Sequence, residues 1–258
     1  MAKHAESQKA PFSSLAIAGF ALALLAGLAE IAAGLGTRWG WWDYRGGFSV
    51  LRLAAYGGIA GAMVSLIGGA IARPGSRRRG FAWSAAGLLI ALAAIFIPWS
   101  MGQKAHQVPA IHDITTDTEN PPQFVALLAV RQAAANKAAY GGPEIAAKQR
   151  AAYPDIVPLE LVLPPDAALA LAENAARALG WQVAQVNGKE GRIEATDTTF
   201  WFGFKDDIII RITPTTRGSR IDVRSVSRVG RSDLGANAKR IRGYLAKIRE
   251  LEKKQSGA

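Results

Sequence analysis

Three long apolar runs dominate the first hundred residues of the chain. They cover residues 12–35, 53–72 and 81–101, and each has about the twenty residues that a helix needs to cross a hydrocarbon layer. Glu30 is the only charged residue inside them. A cleaved signal peptide is the alternative for the first run, but the two further runs favour an anchor. The pattern predicts a three-span transmembrane domain at residues 12–101, after a polar tail at residues 1–11.

The pattern changes after the third run. Residues 102–120 are polar and lack apolar periodicity, which predicts an extended tether, and residues 121–153 predict a helical segment that Pro121 and Pro122 open. Residues 154–258 contain an amphipathic helix, several short alternating strands with a turn at Asn187-Gly188, and a final helix. Consecutive hairpins predict an α+β domain with an antiparallel sheet of four to five strands packed by helices.

The densest chemistry lies between Ile221 and Arg242. A strand pattern runs through an arginine-rich turn into a helix from about Leu234 to Leu251, with Ser232 or Asp233 as its N-cap. Four arginines beside a helix N-terminus are a candidate anion-binding site for phosphate or carboxylate: Arg224, Arg228, Arg231 and Arg240. The structural alternative is that Arg224 or Arg228 pairs with Asp222, Asp233 or Glu194, and that Asp233 itself occupies the anion position.

Four aromatic residues in five positions form a second anomaly: Phe200, Trp201, Phe202 and Phe204. They cannot all face the core, because side chains alternate along a strand. They are candidates for a groove that binds an acyl chain or isoprenoid. Packing of this stretch on a neighbouring helix or on the bilayer is the simpler alternative.

Charge predicts the orientation of the chain. Four arginines lie within residues 73–79, whereas the first loop is less basic, so the positive-inside rule predicts a cytoplasmic N-terminus and a periplasmic C-terminal domain at a bacterial inner membrane. We expect Glu30 and Arg52, both near the outer side, to pair or to snorkel to that interface. The net charge of +11 is a poor signal for nucleic acid, because part of it flanks a span, and no nucleic-acid partner is predicted.

The candidate chemistry of the chain is sparse. The absence of cysteine excludes disulfides and thiolate catalysis, and the sequence predicts neither a cofactor nor a metal site; His106, His112 and Asp113 lack the spacing of a ligand set. Acids near the middle hairpins could bind a hard cation or act as an acid and base pair, although turn chemistry explains them more simply. These acids are Glu194, Asp197, Asp206 and Asp207.

Several segments resemble the domain of unknown function 1499 family over about residues 108–251. They read, in order, IHDITTDTENPPQF, AYPDIVPL, GRIEATDTTFWFGFKDDIIIRI and IDVRSVSRVGRSDLGANAKRIR. The resemblance implies no reaction and no catalytic residue, but it marks a segment to test: Arg224, Ser225, Ser227, Arg228, Asp233, Gly235 and Asn237.

Two hypotheses for function follow from these features. The first is a non-enzymatic, membrane-anchored protein whose exported domain binds a lipid, an anionic envelope component or a partner protein. The alternative is a hydrolase or transferase that acts on an envelope lipid.

Overall fold

Three long helices occupy the predicted membrane-spanning region. In the computed structural model, which describes residues 10–256, they are α1 (Ser14–Arg38), α2 (Tyr44–Ile71) and α3 (Phe81–Gln107). All three are long and apolar enough to cross a membrane. Except for the last four residues of α3, they lie in the helical unit of the chain, which runs to Gln103 and also contains the short stretch Trp201–Gly203. The predicted tail at residues 1–11 lies almost wholly outside the described residues.

Small residues pack α1 against α2. Buried positions recur at alternating intervals of three and four residues, which keeps one stripe of each helix facing its neighbour. A methyl group on Gly19 would lie 2.6 Å from the backbone nitrogen of Ser65, and one on Gly61 would lie 2.9 Å from that of Ala23. Glycine therefore permits backbone-to-backbone contact, as small residues do in membrane helix pairs.

Of the two alternatives predicted for Glu30 and Arg52, pairing or snorkelling to the interface, the ion pair is not formed, and snorkelling stays a prediction. Glu30 continues the buried stripe of α1 and is only 3% exposed, whereas Arg52 lies on the exposed side of α2. Within residues 10–256, no ion pair joins the two side chains. The helix geometry explains the difference, because Arg52 follows Leu51 by one residue and therefore points away from the stripe that faces α1.

The rest of the chain forms the sheet unit, Lys104–Phe200 and the residues from Phe204 onward. Its antiparallel sheet has the order β1-β6-β5-β4-β3, and β2 pairs with the other end of β6. The strands are β1 (Asp113–Thr115), β2 (Leu159–Leu161), β3 (Gln182–Asn187), β4 (Arg192–Thr198), β5 (Lys205–Thr215) and β6 (Gly218–Ser227). The helices are α4 (Leu128–Ala133), α5 (Gly142–Ala152), α6 (Pro165–Ala178) and α7 (Ala236–Ser256). The predicted α+β class is confirmed, with six strands instead of four to five.

The main core lies between one face of the sheet and the helices α6 and α7. Alternate residues of β5 and β6, such as Ile208, Ile210 and Val223, enter this core because side chains of a strand alternate between its two faces. Trp181 stacks on Tyr244 with ring centroids 4.8 Å apart, and the Tyr244 hydroxyl donates to the Ala172 carbonyl at 2.9 Å. The amphipathic helix and the final helix predicted from the sequence are thus α6 and α7, whose apolar sides cover the sheet.

Two segments differ from their predictions. The stretch 102–120, predicted as an extended tether, contains the last turns of α3 and the buried strand β1. The predicted helical segment at residues 121–153 is helical only over α4 and α5, and the remainder is irregular. Both differences have the same physical reason. Residues of these segments pair with charged groups of the sheet, and local periodicity carries no signal for such pairing.

Candidate functional site

The second face of the sheet is strongly polar. The residues between the core positions include Glu194 on β4, Asp207 and Arg211 on β5, and Asp222 and Arg224 on β6. Residues 116–140, which we name the cover segment, lie over this face, and Phe124 and Leu127 pack there on Ile209 and Val226. The face is therefore a buried ionic layer with a small apolar centre.

Arg224 joins β6 to β1 and to the cover segment. Its Nε and Nη2 donate to the two carboxylate oxygens of Asp113 at 2.9 and 2.7 Å, and its remaining donors reach the carbonyls of Pro122 and Ala138. The guanidinium is fully buried and lies over the rings of Phe124 and Tyr140. Such a bidentate pair occupies the N–H donors that an external anion would need.

Asp207 is the centre of a second buried cluster. Arg131 of α4 donates from Nη1 to Asp207 Oδ2 at 3.0 Å, and both side chains are fully buried. Arg228 donates to the same carboxylate from Nε and Nη2, and the Thr196 hydroxyl donates to Oδ1 at 2.8 Å. Burial lowers the pKa of Arg131, and the carboxylate of Asp207 acts in the opposite direction.

Glu194 is held by backbone amides of the cover segment. Its Oε1 accepts from the N–H groups of Val125 and Ala126, both at 3.0 Å, and its Oε2 accepts from that of Leu127 at 2.9 Å. Arg192 donates to Oε1 as well. Three N–H donors directed at one carboxylate form a small anion cradle, and the occupant of this cradle is a side chain of the protein itself.

Asp222 completes the buried layer. It accepts from Arg211 at 2.9 Å and from Arg220 at 3.1 Å, and both guanidinium groups also donate to Asp117 of the cover segment. The carboxylates and guanidiniums therefore alternate across this face, and each carboxylate has cationic or N–H donors around it. Mutual compensation of this kind offsets the cost of burying the charges.

The turn into α7 has its own polar network on the helix side of the sheet. Arg240 donates to Asp197 at 2.8 Å, to Asp206 at 2.5 Å and to Asn237 Oδ1 at 2.6 Å. The Ser225 hydroxyl donates to Asn237 Oδ1 at 2.7 Å, and Asn237 Nδ2 donates to the Ser227 hydroxyl at 2.9 Å. Six residues predicted as sites are thus brought together, but they satisfy one another: Ser225, Ser227, Asn237, Arg240, Asp197 and Asp206.

Asp233 occupies the N-terminal end of α7. Its carboxylate accepts from the N–H groups of Gly235 at 2.7 Å and Asn237 at 2.9 Å, which is the capping arrangement that the sequence suggested. Leu234 and Gly235 both have positive φ, at 53° and 78°. The turn therefore favours glycine at position 235, since residues with a Cβ adopt this conformation at a cost. Burial raises the pKa of Asp233.

The four arginines of the predicted anion site are separated by the structure. Arg224 and Arg228 lie in the buried layer, Arg240 lies in the network at α7, and Arg231 is exposed in the turn between them. Arg224 pairs with Asp113, Arg228 with Asp207, and Arg240 with Asp197 and Asp206. The partners that the sequence suggested for Arg224 or Arg228 were Asp222, Asp233 and Glu194, and neither arginine pairs with them in the described residues. An anion-binding role of the four as one site therefore stays a prediction without geometric support.

The aromatic run of the predicted groove is divided between the two units. Within the helical unit, Phe202 is buried and its ring centroid lies 5.3 Å from that of Phe48, while Trp201 packs on Gly34. Phe200 is 84% exposed and Phe204 is half-buried. Binding of an acyl chain by these residues stays a prediction.

Sequence reasoning missed Asp113 and Arg131 as members of the buried layer. Arg131 stood on the apolar stripe of a predicted helix with Phe124 and Leu127, and a guanidinium on such a stripe was the available signal. Asp113 stood in a polar stretch and gave no signal. The described residues contain no cluster of three or more His, Asp or Glu side chains that could hold a metal ion.

Comparison with known proteins gives a family and no activity. No curated protein matches the chain. A family model described as a protein of unknown function (DUF1499) matches residues 113–248, which is more than half of the chain and spans the sheet unit from β1 into α7. The buried layer, the cover segment and the turn before α7 all lie inside the matched region, and the chain belongs to the DUF1499 family.

Proposed function

We propose that this chain is a membrane-anchored protein of the bacterial cell envelope, whose α+β domain lies on the exported side and acts by binding an anionic envelope component. The ligand class is phosphate or carboxylate carried by a lipid headgroup or by a soluble polymer. Catalysis is the less supported role, because the candidate acids are engaged by donors of the protein. Glu194 accepts from three backbone amides, Asp207 from two guanidiniums, and Asp197 and Asp206 from Arg240.

The observation that carries the proposal is a cationic stripe on the exposed side of α7. We define it by four residues whose spacing of three, seven and four positions keeps them on one side of a helix: Lys239, Arg242, Arg249 and Lys253. At 1.5 Å per residue the stripe is about 21 Å long. Gly243 and Ala246 lie between its members and are exposed as well, so the surface along the stripe is unobstructed.

The stripe differs from the buried arginines in having few internal partners. Arg242 pairs with Asp155, but no ion pair of Lys239, Arg249 or Lys253 is found over residues 10–256. Exposed cations on one helix face attract anions over about 8–10 Å at physiological ionic strength. The charge excess that the sequence places in this helix is therefore available to an external ligand.

A binding assay with matched charge variants tests this surface. The full chain in detergent is titrated with soluble polyphosphate, and the chain in neutral vesicles is compared with the chain in vesicles that contain phosphatidylglycerol. The variant Lys239→Gln/Arg249→Gln removes two charges of the stripe, and Lys189→Gln/Arg217→Gln removes one lysine and one arginine from exposed turns. We expect the first to weaken binding roughly tenfold or more at low salt, since each cation near an anionic surface contributes about 1 kcal/mol.

The two ligand sources give different results. Polyphosphate binding that depends on the stripe indicates a soluble polymer, and dependence seen only with phosphatidylglycerol indicates a headgroup. Equal loss in both double variants would show that net charge, and not the stripe, determines binding. Orientation is tested separately with alkaline phosphatase, or a fluorescent protein that matures only in the cytoplasm, fused after Ala258. Active phosphatase and a dark fluorophore are expected; the reverse contradicts the exported location.

A further inference from the structure

Glu30 is a carboxyl group enclosed between apolar helices. Its position continues the row Ala16, Gly19, Ala23 and Ala26 of α1, all of which are buried. The contacts of Gly19 with Ser65, Ala23 with Gly61 and Ala26 with Gly57 define an antiparallel register of α1 and α2. Continued by one turn, this register places Glu30 at the level of Ala54, two to three turns inside the end of each helix.

The group has no ion-pair partner within residues 10–256. Its Oε1 is buried and accepts no hydrogen bond from any residue of the described chain. The buried positions of α2 and α3 carry only small or apolar side chains, apart from Ser65 and Ser84. Trp201, Phe202 and Gly203, which also belong to the helical unit, are not titratable, and the charged residues at the neighbouring ends of α1 and α2, namely Arg38, Asp43, Arg45 and Arg52, are exposed.

We propose that Glu30 is a proton-binding site within the membrane-spanning helices, and that loss of its proton loosens the packing of α1 on α2. Burial of a charged carboxylate among apolar groups without a partner costs free energy. Glu30 therefore cannot be both charged and enclosed between the packed helices. Ionisable residues inside membrane segments are rare, because their burial is expensive, and those that occur mark functional positions such as proton relays. The ligand is a proton, because a metal cation needs several oxygen ligands and the neighbouring helix surfaces supply none near this level.

Covalent labelling of the full chain in detergent tests the site. A hydrophobic carbodiimide adds to protonated carboxyl groups in apolar surroundings, and mass spectrometry locates the adduct. We expect labelling of Glu30 at pH 6, its loss in Glu30→Gln, and a decrease of at least tenfold between pH 6 and pH 9. Arg52→Gln is the matched control: it leaves the labelling of Glu30 unchanged if the two residues do not pair.

The packing consequence is measured by thermal unfolding of the helical signal over the same pH range. The melting temperature of the natural chain should fall relative to that of Glu30→Gln as the pH rises, because the glutamine stays neutral. Absence of labelling at pH 6 overturns the proposal. The proposal is also overturned if the labelling of Glu30 and the melting-temperature difference both stay constant from pH 6 to pH 9, because the group would then not exchange a proton. These readouts are independent of the cationic stripe on α7.

Discussion

Arg131 and Asp207 form an ion pair in which neither side chain is exposed to solvent, with Nη1 and Oδ2 3.0 Å apart. The pair connects α4 to the central strand β5, and Arg228 and Thr196 share the same carboxylate. Removal of one partner of a buried pair leaves the other charge uncompensated, which costs far more than the pair contributes by itself.

The change Asp207→Asn should therefore destabilise the sheet unit strongly. We expect the free energy of unfolding to fall by roughly 3–5 kcal/mol, because two guanidiniums lose their countercharge at once. The measurement is denaturant unfolding of the full chain in detergent, followed by hydrogen exchange of peptides from β5 and β6. The control is Asp155→Asn, which breaks the exposed pair with Arg242 and should cost at most about 1 kcal/mol. Equal effects of the two changes would contradict the buried pair.

A second prediction concerns the anchoring of the cover segment by Glu194. In Glu194→Gln one oxygen acceptor is lost and the remaining amide carries no charge, so the N–H groups of residues 125–127 lose charge-assisted bonds. We expect a loss of about 1–3 kcal/mol and faster hydrogen exchange at these amides than at β5. Glu190→Gln is the control, because Glu190 also contacts Arg192 but is exposed. Unchanged exchange at residues 125–127 would contradict the cradle.

The sequence predicted the part of this fold that depends on local periodicity. Alternation identified β3 to β6, and the apolar stripes of α6 and α7 identified the surfaces that cover the sheet. The partners of the buried charges could not be predicted, because Arg131 lies 76 positions from Asp207 and Arg224 lies 111 positions from Asp113. A polar residue that meets its partner across the sheet looks the same in sequence as a solvated one. The cover segment was therefore predicted as the end of a tether and the start of a helical segment.

A third prediction compares two glycines, one in the turn before α7 and one inside α7. Gly235 has φ of 78°, so Gly235→Ala forces a Cβ into the left-handed region and should destabilise the chain by about 1 kcal/mol or more. Gly243 lies in α7 with open space around it, so Gly243→Ala should stabilise the helix by up to about 1 kcal/mol. Both are measured by thermal unfolding of the full chain. Shifts of the same sign would show that the turn conformation is not required.

The last prediction concerns the alkaline stability of the sheet unit. Burial raises the pKa of Tyr140 from 10.0 to about 12, and the nearby carboxylate of Asp113 acts in the same direction. The unfolded chain therefore loses this phenolic proton first, so the contribution of Tyr140 to stability is fully present below pH 10 and is lost as the pH rises toward 12. Tyr140→Phe has no proton to lose, and its unfolding free energy should fall less than that of the natural chain in this window. The difference in phenolate absorbance between the two chains locates the titration directly. A midpoint near pH 10 would contradict the buried position of the hydroxyl beside Arg224 and Asp113.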